Sequence, residues 1–282
     1  MAAESSIAIR REPSTMHAML FDGVARMHGR SRLARLEQSV VAVIGLGGVG
    51  SWCAEALARS GVGALVLADL DEVCVSNTNR QIHAVKSTYG RPKCEVMAER
   101  LRQINPDIRL HLVSDFITDS NIEGFIEECA SFGLDVSGGG VDFVIDCVDQ
   151  ERHKAAIIAK CVELNVPILT TGGCGGLSDP SGIECDDLNL SNGDNLLSKV
   201  RIRLRQEYGF GDEPSAESSD ENNDGGAGRR LPWNVTAVFS PGNGGSVGGK
   251  HRRARRGSMA CGNGAGSSVM VTGNGHPLRF RV

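Results

Sequence analysis

The sequence of 282 residues lacks two features that would place it in or across a membrane. No apolar run approaches the roughly 18 residues that a membrane-spanning helix needs, so no membrane segment is expected. The N-terminal residues also lack the long apolar core of a secretory signal. We therefore predict a cytoplasmic protein. The mitochondrion is the alternative, because Arg10 and Arg11 leave a presequence open although Glu4 and Glu12 accompany them.

The nine cysteines include no C-x-x-C pair, the spacing from which many structural zinc sites are built, so no zinc is expected. In a cytosol-like compartment these thiols are expected to stay reduced. The net charge is −4, so overall charge does not indicate a nucleic-acid-binding protein. Only local clusters of basic residues can do so.

Composition divides the chain into four segments. Residues 1–20 are expected to form a flexible leader, and residues 21–210 a single α/β domain. Residues 211–230 contain six acidic side chains among Ser, Asn and Gly before the first arginine, which predicts a disordered acidic insertion. Residues 231–282 are rich in glycine, contain a basic run over 250–256, and are assigned to a small C-terminal lobe.

Apolar runs alternate with segments of helical periodicity along the first 170 residues. Strands are predicted at Val40–Ile44, Ala64–Ala68, Arg109–Val113, Phe143–Asp146 and Pro167–Thr170. Helices are predicted at 24–37, 93–104 and 151–164, and after the first strand, where Val49, Trp52, Cys53, Ala56 and Leu57 recur at helical spacing. This alternation predicts a Rossmann-like, mostly parallel sheet with helices on both faces.

A glycine-rich loop follows the first predicted strand, with glycines at Gly45, Gly47, Gly48 and Gly50. Glycines permit a tight turn and a close approach of the backbone to a ligand. The N-terminus of the following helix offers free N–H groups to a phosphate. The loop by itself predicts a nucleotide site, most often one for NAD or FAD.

Two carboxylates follow the second predicted strand. Asp69 lies 24 residues after Gly45, where a carboxylate can accept hydrogen bonds from both ribose hydroxyls. Asp71 is close enough in sequence to compete for that role. A structural role in a turn is the alternative for both.

The residues after Asp71 do not fit a dehydrogenase. Arg80 and Lys93 are placed beyond the ribose, where a triphosphate would extend. Arginine makes forked contacts with phosphate and lysine supplies a point charge, and both suit the stabilisation of a departing pyrophosphate. Solvated surface charges are the simpler interpretation of either residue alone.

Asp146 and Asp149 follow the strand predicted at Phe143–Asp146. Open α/β sheets bind ligands at the carboxyl ends of their strands, and Mg²⁺ prefers oxygen ligands. Asp149 is therefore the candidate Mg²⁺ ligand, with Asp146 behind it. For Asp146, capping of the next helix is an equally good interpretation.

Together these motifs resemble the E1-like (ThiF/MoeB) superfamily. The pattern G-x-G-G-x-G is followed in order by D-x-D, N-x-x-R-Q, G-x-P-K and D-x-x-D over about a hundred residues. The resemblance implies that Asp69 binds the ribose of ATP, that Asp149 helps to hold Mg²⁺, and that Arg80 and Lys93 act on the phosphates. It adds Asn77 and Gln81 to the ATP site, with Asp71 beside them.

The chain is most similar to one branch, the tRNA threonylcarbamoyladenosine dehydratases. The hallmarks are Gly47-Gly-Val-Gly-Ser-Trp52, Asn79-Arg-Gln-Ile-His83, Ile104-Asn-Pro106 and Thr170-Thr-Gly-Gly-Cys-Gly-Gly176. The resemblance implies a homodimeric enzyme that uses ATP to adenylate the threonyl carboxylate of N6-threonylcarbamoyladenosine at position 37 of tRNA. The carbamoyl group then attacks the carbon of the adenylated carboxylate, which closes the ring and releases AMP. The alternative is an E1-like enzyme that activates the C-terminus of a ubiquitin-like or sulfur-carrier protein.

The resemblance also bears on the second half of the chain. A basic cluster, Lys199, Arg201, Arg203 and Arg205, is predicted to contact tRNA phosphates, with a solvated helix face as the alternative. Cys261 matches a recurrent family cysteine and is a possible reactive thiol, although a small buried hydrophobe is the simpler interpretation. The family continues into a terminal apolar helix, which is absent after Gly275, so the C-terminal lobe is expected to be truncated. Some eukaryotic members attach to the mitochondrial outer membrane through apolar ends that are not seen here.

Overall fold

The computed structural model describes residues 15–211, apart from 116, 119, 138–139 and 178, and residues 231–241. Its helices are α1 Thr15–Leu20, α2 Asp22–His28, α3 Arg30–Gln38, α4 Gly50–Arg59, α5 Lys93–Ile104, α6 Ile122–Ser137, α7 Glu151–Glu163 and α8 Asn195–Tyr208. Its strands are β1 Val40–Ile44, β2 Ala64–Ala68, β3 Arg109–Val113, β4 Phe143–Asp146, β5 Ile168–Thr171, β6 Glu184–Asp187 and β7 Thr236–Phe239.

The seven strands form one sheet in the order β3-β2-β1-β4-β5-β7-β6. Every pair of neighbours is parallel except β6 and β7. The chain turns outward in opposite directions from β1 and β4, which makes their carboxyl ends the topological switch point where such sheets bind ligands. The predicted Rossmann-like fold is confirmed.

Helices cover both faces of the sheet because the central strands are apolar on both sides. Every residue of β1 and of β2 is buried. On one face, side chains of α4 and α5 form a core cluster with Val41 and Val43, and on the other, side chains of α6, α7 and α8 belong to a cluster that includes Ala42. Among the described residues, no helix is long and apolar enough to cross a membrane.

Four of the five predicted strands have the expected bounds, and the fifth is shifted by one residue to Ile168–Thr171. Strands β6 and β7 were not predicted. Strand β6 consists of Glu-Cys-Asp-Asp with three of its four residues exposed, so no apolar pattern marks it. Strand β7 pairs with β5 in the main sheet, so the assignment of residues 231–282 to a separate lobe is wrong for Thr236–Phe239.

Two other expectations need correction, and one lies largely outside the described residues. Residues 15–20, which were assigned to a flexible leader, form α1, where the buried His17 contacts the carbonyl oxygen of Gly61 through Nε2 at 2.8 Å. The helix predicted at 24–37 is divided at Gly29, whose φ of 90° does not continue a helix. Residues 1–14 and 212–230, with most of the acidic insertion, lie outside the described residues.

The predicted apolar face of α4 is only partly confirmed, because Cys53 and Leu57 pack against the core whereas Trp52 does not. Trp52 is half exposed, whereas the small residues Ser51, Ala54 and Ala58 are fully buried. Small side chains let the helix lie close to the sheet, immediately after the glycine loop. The indole of Trp52 instead donates a hydrogen bond from Nε1 to the carbonyl oxygen of Arg80 at 2.9 Å.

Candidate nucleotide site at the carboxyl edge of the sheet

The glycine loop at the end of β1 is packed so tightly that side chains are excluded at two positions. Gly45 has a φ of 88°, and a Cβ there would lie 3.1 Å from the backbone carbonyl of Cys147. A Cβ on Gly50 would lie 1.8 Å from the carbonyl oxygen of Gly45. The end of the loop at Gly50 therefore packs against its start at Gly45, and the loop contacts the turn that follows β4.

The carboxylate of Asp69 fastens this loop to the end of β2. Its Oδ2 accepts a hydrogen bond from the backbone N–H of Leu46 at 2.6 Å, and its Oδ1 accepts one from the N–H of Asp71 at 2.9 Å. Asp71 has a side chain that is 62% exposed, against 9% for Asp69. Both carboxylates thus lie beside the loop, and Asp71 is the more accessible to a ligand.

Lys93 lies with these carboxylates at the start of α5. Its Nζ is 2.7 Å from Asp71 Oδ2 and 3.3 Å from Asp69 Oδ1, and its side chain is only 5% exposed. The charge of Lys93 is thus neutralised by the two aspartates. A nucleotide phosphate that contacts the Lys93 ammonium has to replace at least one of these carboxylates.

Arg80 borders the loop at Gly48, whereas Cys147 borders it at Gly45 and Gly50. A Cβ on Gly48 would lie 3.3 Å from both Cγ and Cδ of Arg80, so the aliphatic part of the arginine covers that glycine. The exposed guanidinium donates from Nη1 to the carbonyl oxygen of Ser76 at 2.9 Å and to Oδ1 of Asn79 at 3.0 Å. These two hydrogen bonds hold the guanidinium beside the glycine loop, where it remains exposed to solvent.

Asn77 and Gln81 support the segment that carries Arg80. The side chain of Asn77 accepts a hydrogen bond from the N–H of Cys74 at 3.0 Å, which closes the short 3₁₀ turn Val75–Asn77. Gln81 is buried, and among the described residues its Oε1 has no hydrogen-bond partner. In this structure neither side chain is presented to solvent as a ready ligand contact.

The turn after β4 brings Asp149 to the same edge of the sheet. The N–H of Cys147 donates to the carbonyl oxygen of Ile44 at 2.8 Å, which ties this turn to the end of β1. Asp149 is exposed just before α7, whereas Asp146 is fully buried and paired with Lys154. Only Asp149 of the two is available to a metal ion, and the described residues contain no cluster of three potential metal ligands.

Sequence reasoning missed His83, which lies two residues beyond Gln81. It is 2% exposed, and among the described residues neither ring nitrogen has a hydrogen-bond partner. Burial, together with the nearby charges of Lys93 and Arg100, lowers the pKa of His83 to about 4. His83 is therefore a neutral, buried side chain close in sequence to Arg80 and Gln81.

The buried, neutral His83 predicts an acid-sensitive domain. The unfolded chain binds a proton near an ordinary His pKa of about 6.5, whereas the folded chain binds it only near 4. The contribution to stability is thus complete above the unfolded pKa and is lost as the pH falls toward 4. Between pH 7 and pH 5 the free energy of unfolding should fall by about 2 kcal/mol through this residue.

This prediction is checked by urea unfolding at both pH values. The variant His83→Leu should remove that part of the pH dependence, whereas His28→Leu, at an exposed histidine, should keep it. Equal pH dependence in His83→Leu and the unchanged protein would contradict the prediction.

The basic cluster predicted to contact tRNA does lie on one helix, α8, but its members face different ways. Arg201 is buried and donates a hydrogen bond to Oγ of Ser191 at 2.6 Å, so it does not belong to an exposed basic face. Arg205 stacks over the ring of Trp233 at 4.8 Å. Lys199 is exposed and Arg203 is partly exposed, and their contact with tRNA stays a prediction.

The cysteines of the described residues give no indication of a nucleophile near the loop. Burial raises the pKa of Cys53 to about 11 and that of Cys147 to about 12, so both stay protonated thiols at neutral pH. Cys174 is exposed in the glycine-rich turn after β5. Cys261 and the basic run over 250–256 lie outside the described residues.

Comparison with known proteins gives consistent matches. A profile of the ThiF family matches residues 22–192. The tRNA threonylcarbamoyladenosine dehydratase of Escherichia coli is 40% identical over 253 residues, which cover 89% of this chain and 87% of the relative. The Haemophilus influenzae protein of the same name is 42% identical over 71% of this chain and 72% of its own.

A solved structure gives the same match as the sequence comparison. The Escherichia coli tRNA N6-threonylcarbamoyladenosine dehydratase in complex with ATP matches 80% of this chain and 83% of its own, with a TM-score of 0.68 and 41% identity. A shorter similarity, 37% identity over 56% of both chains, relates this chain to the sulfur carrier protein ThiS adenylyltransferase of Escherichia coli.

Proposed function

The chain belongs to the ThiF family, in its tRNA threonylcarbamoyladenosine dehydratase branch, and on that premise we propose that it cyclises N6-threonylcarbamoyladenosine at position 37 of tRNA with ATP. The observation that carries this proposal is the glycine loop at the switch point of the sheet. Arg80 borders the loop at Gly48, the turn leading to Asp149 borders it at Gly45, and Asp69 binds its backbone. The relative that shares this fold over most of both chains was solved with ATP.

The reaction needs a carboxylate to become an electrophile. An oxygen of the threonyl carboxylate attacks the α-phosphorus of ATP, and pyrophosphate leaves. The carbamoyl group then attacks the acyl carbon, and AMP leaves with the former carboxylate oxygen while one proton is lost. Ring closure is intramolecular, so a high effective molarity replaces any need for a protein nucleophile.

The residues of the site have distinct roles in this proposal. The loop N–H groups and the start of α4 receive the phosphates, and Asp69 and Asp71 receive the ribose hydroxyls. Arg80 and Lys93 stabilise the negative charge that develops on the departing pyrophosphate. Because Asp71 and Lys93 are paired in this structure, binding of the ribose to Asp71 would free the ammonium to act on the phosphates.

The donors at the site fit a Mg²⁺ ion that ATP brings with it. Mg²⁺ is usually held by one or two carboxylates together with substrate phosphates and water. Asp149 supplies one exposed carboxylate, and Asp146 cannot supply a second because its carboxylate is buried against Lys154. When bound, the ion would neutralise charge on the phosphate oxygens, and Asp149 would orient it.

The decisive experiment is mass spectrometry of the nucleosides of a tRNA that carries N6-threonylcarbamoyladenosine. After incubation with the full-length protein, ATP and Mg²⁺, we expect the modified adenosine to lose one water, with one AMP and one pyrophosphate released per cyclic product. Omission of ATP and the use of unmodified tRNA are the controls. An unchanged nucleoside with ATP bound would contradict the proposed function.

A second candidate function follows from the similarity to the ThiS adenylyltransferase. In that case the acceptor is the C-terminal carboxylate of a carrier protein. Exchange of labelled pyrophosphate into ATP separates the two candidates, because the true acceptor stimulates the exchange. We expect stimulation by the modified tRNA and none by a sulfur-carrier protein.

A further inference from the structure

Lys154, in the first turns of α7, is fully buried and its charge lies inside the domain. Its Nζ is 2.7 Å from Oδ2 of Asp146, whose side chain is also completely buried. The ammonium donates as well to Oγ1 of Thr170 at 3.1 Å, on the neighbouring strand β5. The three residues come from a helix and two strands, so the cluster joins β4, β5 and α7.

All hydrogen-bonding groups of this cluster are used. Oδ2 of Asp146 also accepts a hydrogen bond from the hydroxyl of Thr170 at 2.7 Å. Oδ1 of Asp146 accepts one from the N–H of Val148 at 3.0 Å. The backbone carbonyl of Asp146 accepts from Oγ1 of Thr171 at 3.2 Å and from Nζ of Lys154 at 3.4 Å.

The two residues that flank Asp149 are both hydrogen-bonded, one to the carboxylate of the cluster and the other to the backbone of α7. On one side, the N–H of Val148 is bound by the carboxylate of Asp146. On the other side, the carbonyl oxygen of Gln150 accepts the backbone N–H of Lys154 at 3.0 Å. Asp149 itself is exposed between them, so its carboxylate is presented from a turn that is bound to the Asp146 carboxylate at one end and continues into α7, the helix that carries Lys154, at the other.

Stability alone does not explain a buried ion pair at this place. Desolvation of two charges costs about as much as their attraction returns, and apolar residues of similar volume often serve a domain equally well. A fully hydrogen-bonded pair does fix geometry, and groups behind a metal ligand commonly set its orientation and affinity. This pair is linked through the N–H of Val148 to the turn that carries the exposed Asp149, and that link points to such a role.

We propose that Lys154, acting through Asp146 and Thr170, is the positioning residue that orients Asp149 toward the metal–nucleotide complex. The inference rests on the proposed function, because it requires Asp149 to be a metal ligand. It predicts that a change in this buried cluster weakens metal binding to the nucleotide complex without removing any group that touches the nucleotide.

The test is binding of Mn²⁺, as a spectroscopic substitute for Mg²⁺, to the full-length protein with the α,β-methylene analogue of ATP. In Lys154→Met the dissociation constant of Mn²⁺ should rise by about 10- to 100-fold, and the Mg²⁺ concentration for half-maximal turnover should rise in parallel. Lys160→Met is the matched control, since Lys160 lies on the same helix and pairs with Glu163 at the surface. It should leave both values unchanged.

Lys154→Met leaves the buried carboxylate of Asp146 without its cation and should lower stability, so binding is measured well below the melting temperature of the variant. A folded Lys154→Met protein with unaltered Mn²⁺ affinity would overturn the inference. If that variant does not fold, Thr170→Val keeps the ion pair and removes one hydrogen bond to Asp146. Thr170→Val should weaken Mn²⁺ binding several-fold, and Thr170→Ser, which keeps the hydroxyl, should bind Mn²⁺ as the unchanged protein does. Equal Mn²⁺ affinity in the unchanged protein, Thr170→Val and Thr170→Ser would overturn the inference.

The variant Asp149→Ala separates this inference from the proposed function. If Asp149→Ala keeps normal turnover and Mn²⁺ affinity, the assignment of the metal ligand fails and the role of Lys154 fails with it. If Asp149→Ala loses both while Lys154→Met keeps both, only the positioning role fails.

Discussion

Replacing Arg80 with alanine should lower the rate of AMP release by about 10²- to 10³-fold, the loss seen when one preorganised donor to a developing charge is removed. The guanidinium lies beside the glycine loop, where the aliphatic part of the Arg80 side chain covers Gly48. Because the Arg80 side chain is exposed, the melting temperature should change little. Single-turnover release of AMP from ATP and modified tRNA measures the effect.

Two further variants sharpen this prediction. Arg80→Lys should recover only part of the lost rate, because an ammonium keeps the charge and loses the forked contact with phosphate. Arg102→Ala removes an exposed arginine from the far end of α5, away from the carboxyl edge of the sheet, and should keep the full rate. Normal turnover in Arg80→Ala would show that the charge on pyrophosphate is stabilised elsewhere.

Much of this fold could be predicted because the central strands have a strong pattern. Strands β1 and β2 are uninterrupted apolar runs, and such runs arise where both faces of a strand are covered. Strand β6 has no such run because it lies at the edge and faces solvent. Its place in the sheet depends on pairing with β7, about fifty residues later, which local patterns cannot indicate.

The face of α4 was predicted only in part, for a related reason: Cys53 and Leu57 pack against the core, but Trp52 does not. Helical spacing selected the large apolar residues, including Trp52, although the buried side is made of Ser51, Ala54 and Ala58. The space between this helix and the sheet is narrow, so volume rather than hydrophobicity decides which side faces inward. The distance at which a helix packs on a sheet depends on both elements, so it could not be predicted from the local sequence of α4.

The candidate site shows the same limit at the level of single residues. The order of motifs was enough to bring Asp69 and Arg80 beside the glycine loop and Asp149 to the same edge of the sheet, because the carboxyl ends of β1, β2 and β4 meet there. It was not enough to show that Lys93 is paired with Asp69 and Asp71, or that Arg201 is turned inward. Lys154 escaped notice because its partners lie 8 and 16 residues away and meet it only in the folded domain.

Two alanine substitutions in the glycine loop should have opposite effects on folding and binding. In Gly50→Ala the new Cβ would lie 1.8 Å from a backbone oxygen that cannot move aside as a flexible side chain would. We expect the free energy of unfolding to fall by about 3 kcal/mol, at the upper end of the usual cost of overpacking. For a domain of this size that corresponds to a melting temperature roughly 6–12 °C lower.

Gly47→Ala is the matched comparison, because a Cβ at Gly47 meets no described atom within 4 Å. The open space beside Gly47 is where the proposed phosphates lie, so its methyl group should weaken ATP binding while stability stays the same or rises by about 0.5 kcal/mol through the loss of backbone freedom in the unfolded chain. Thermal melting and calorimetric ATP titration of both variants separate the two effects. A stable Gly50→Ala protein would show that the loop is not closed on itself, and unaltered ATP affinity in Gly47→Ala would place the phosphates elsewhere.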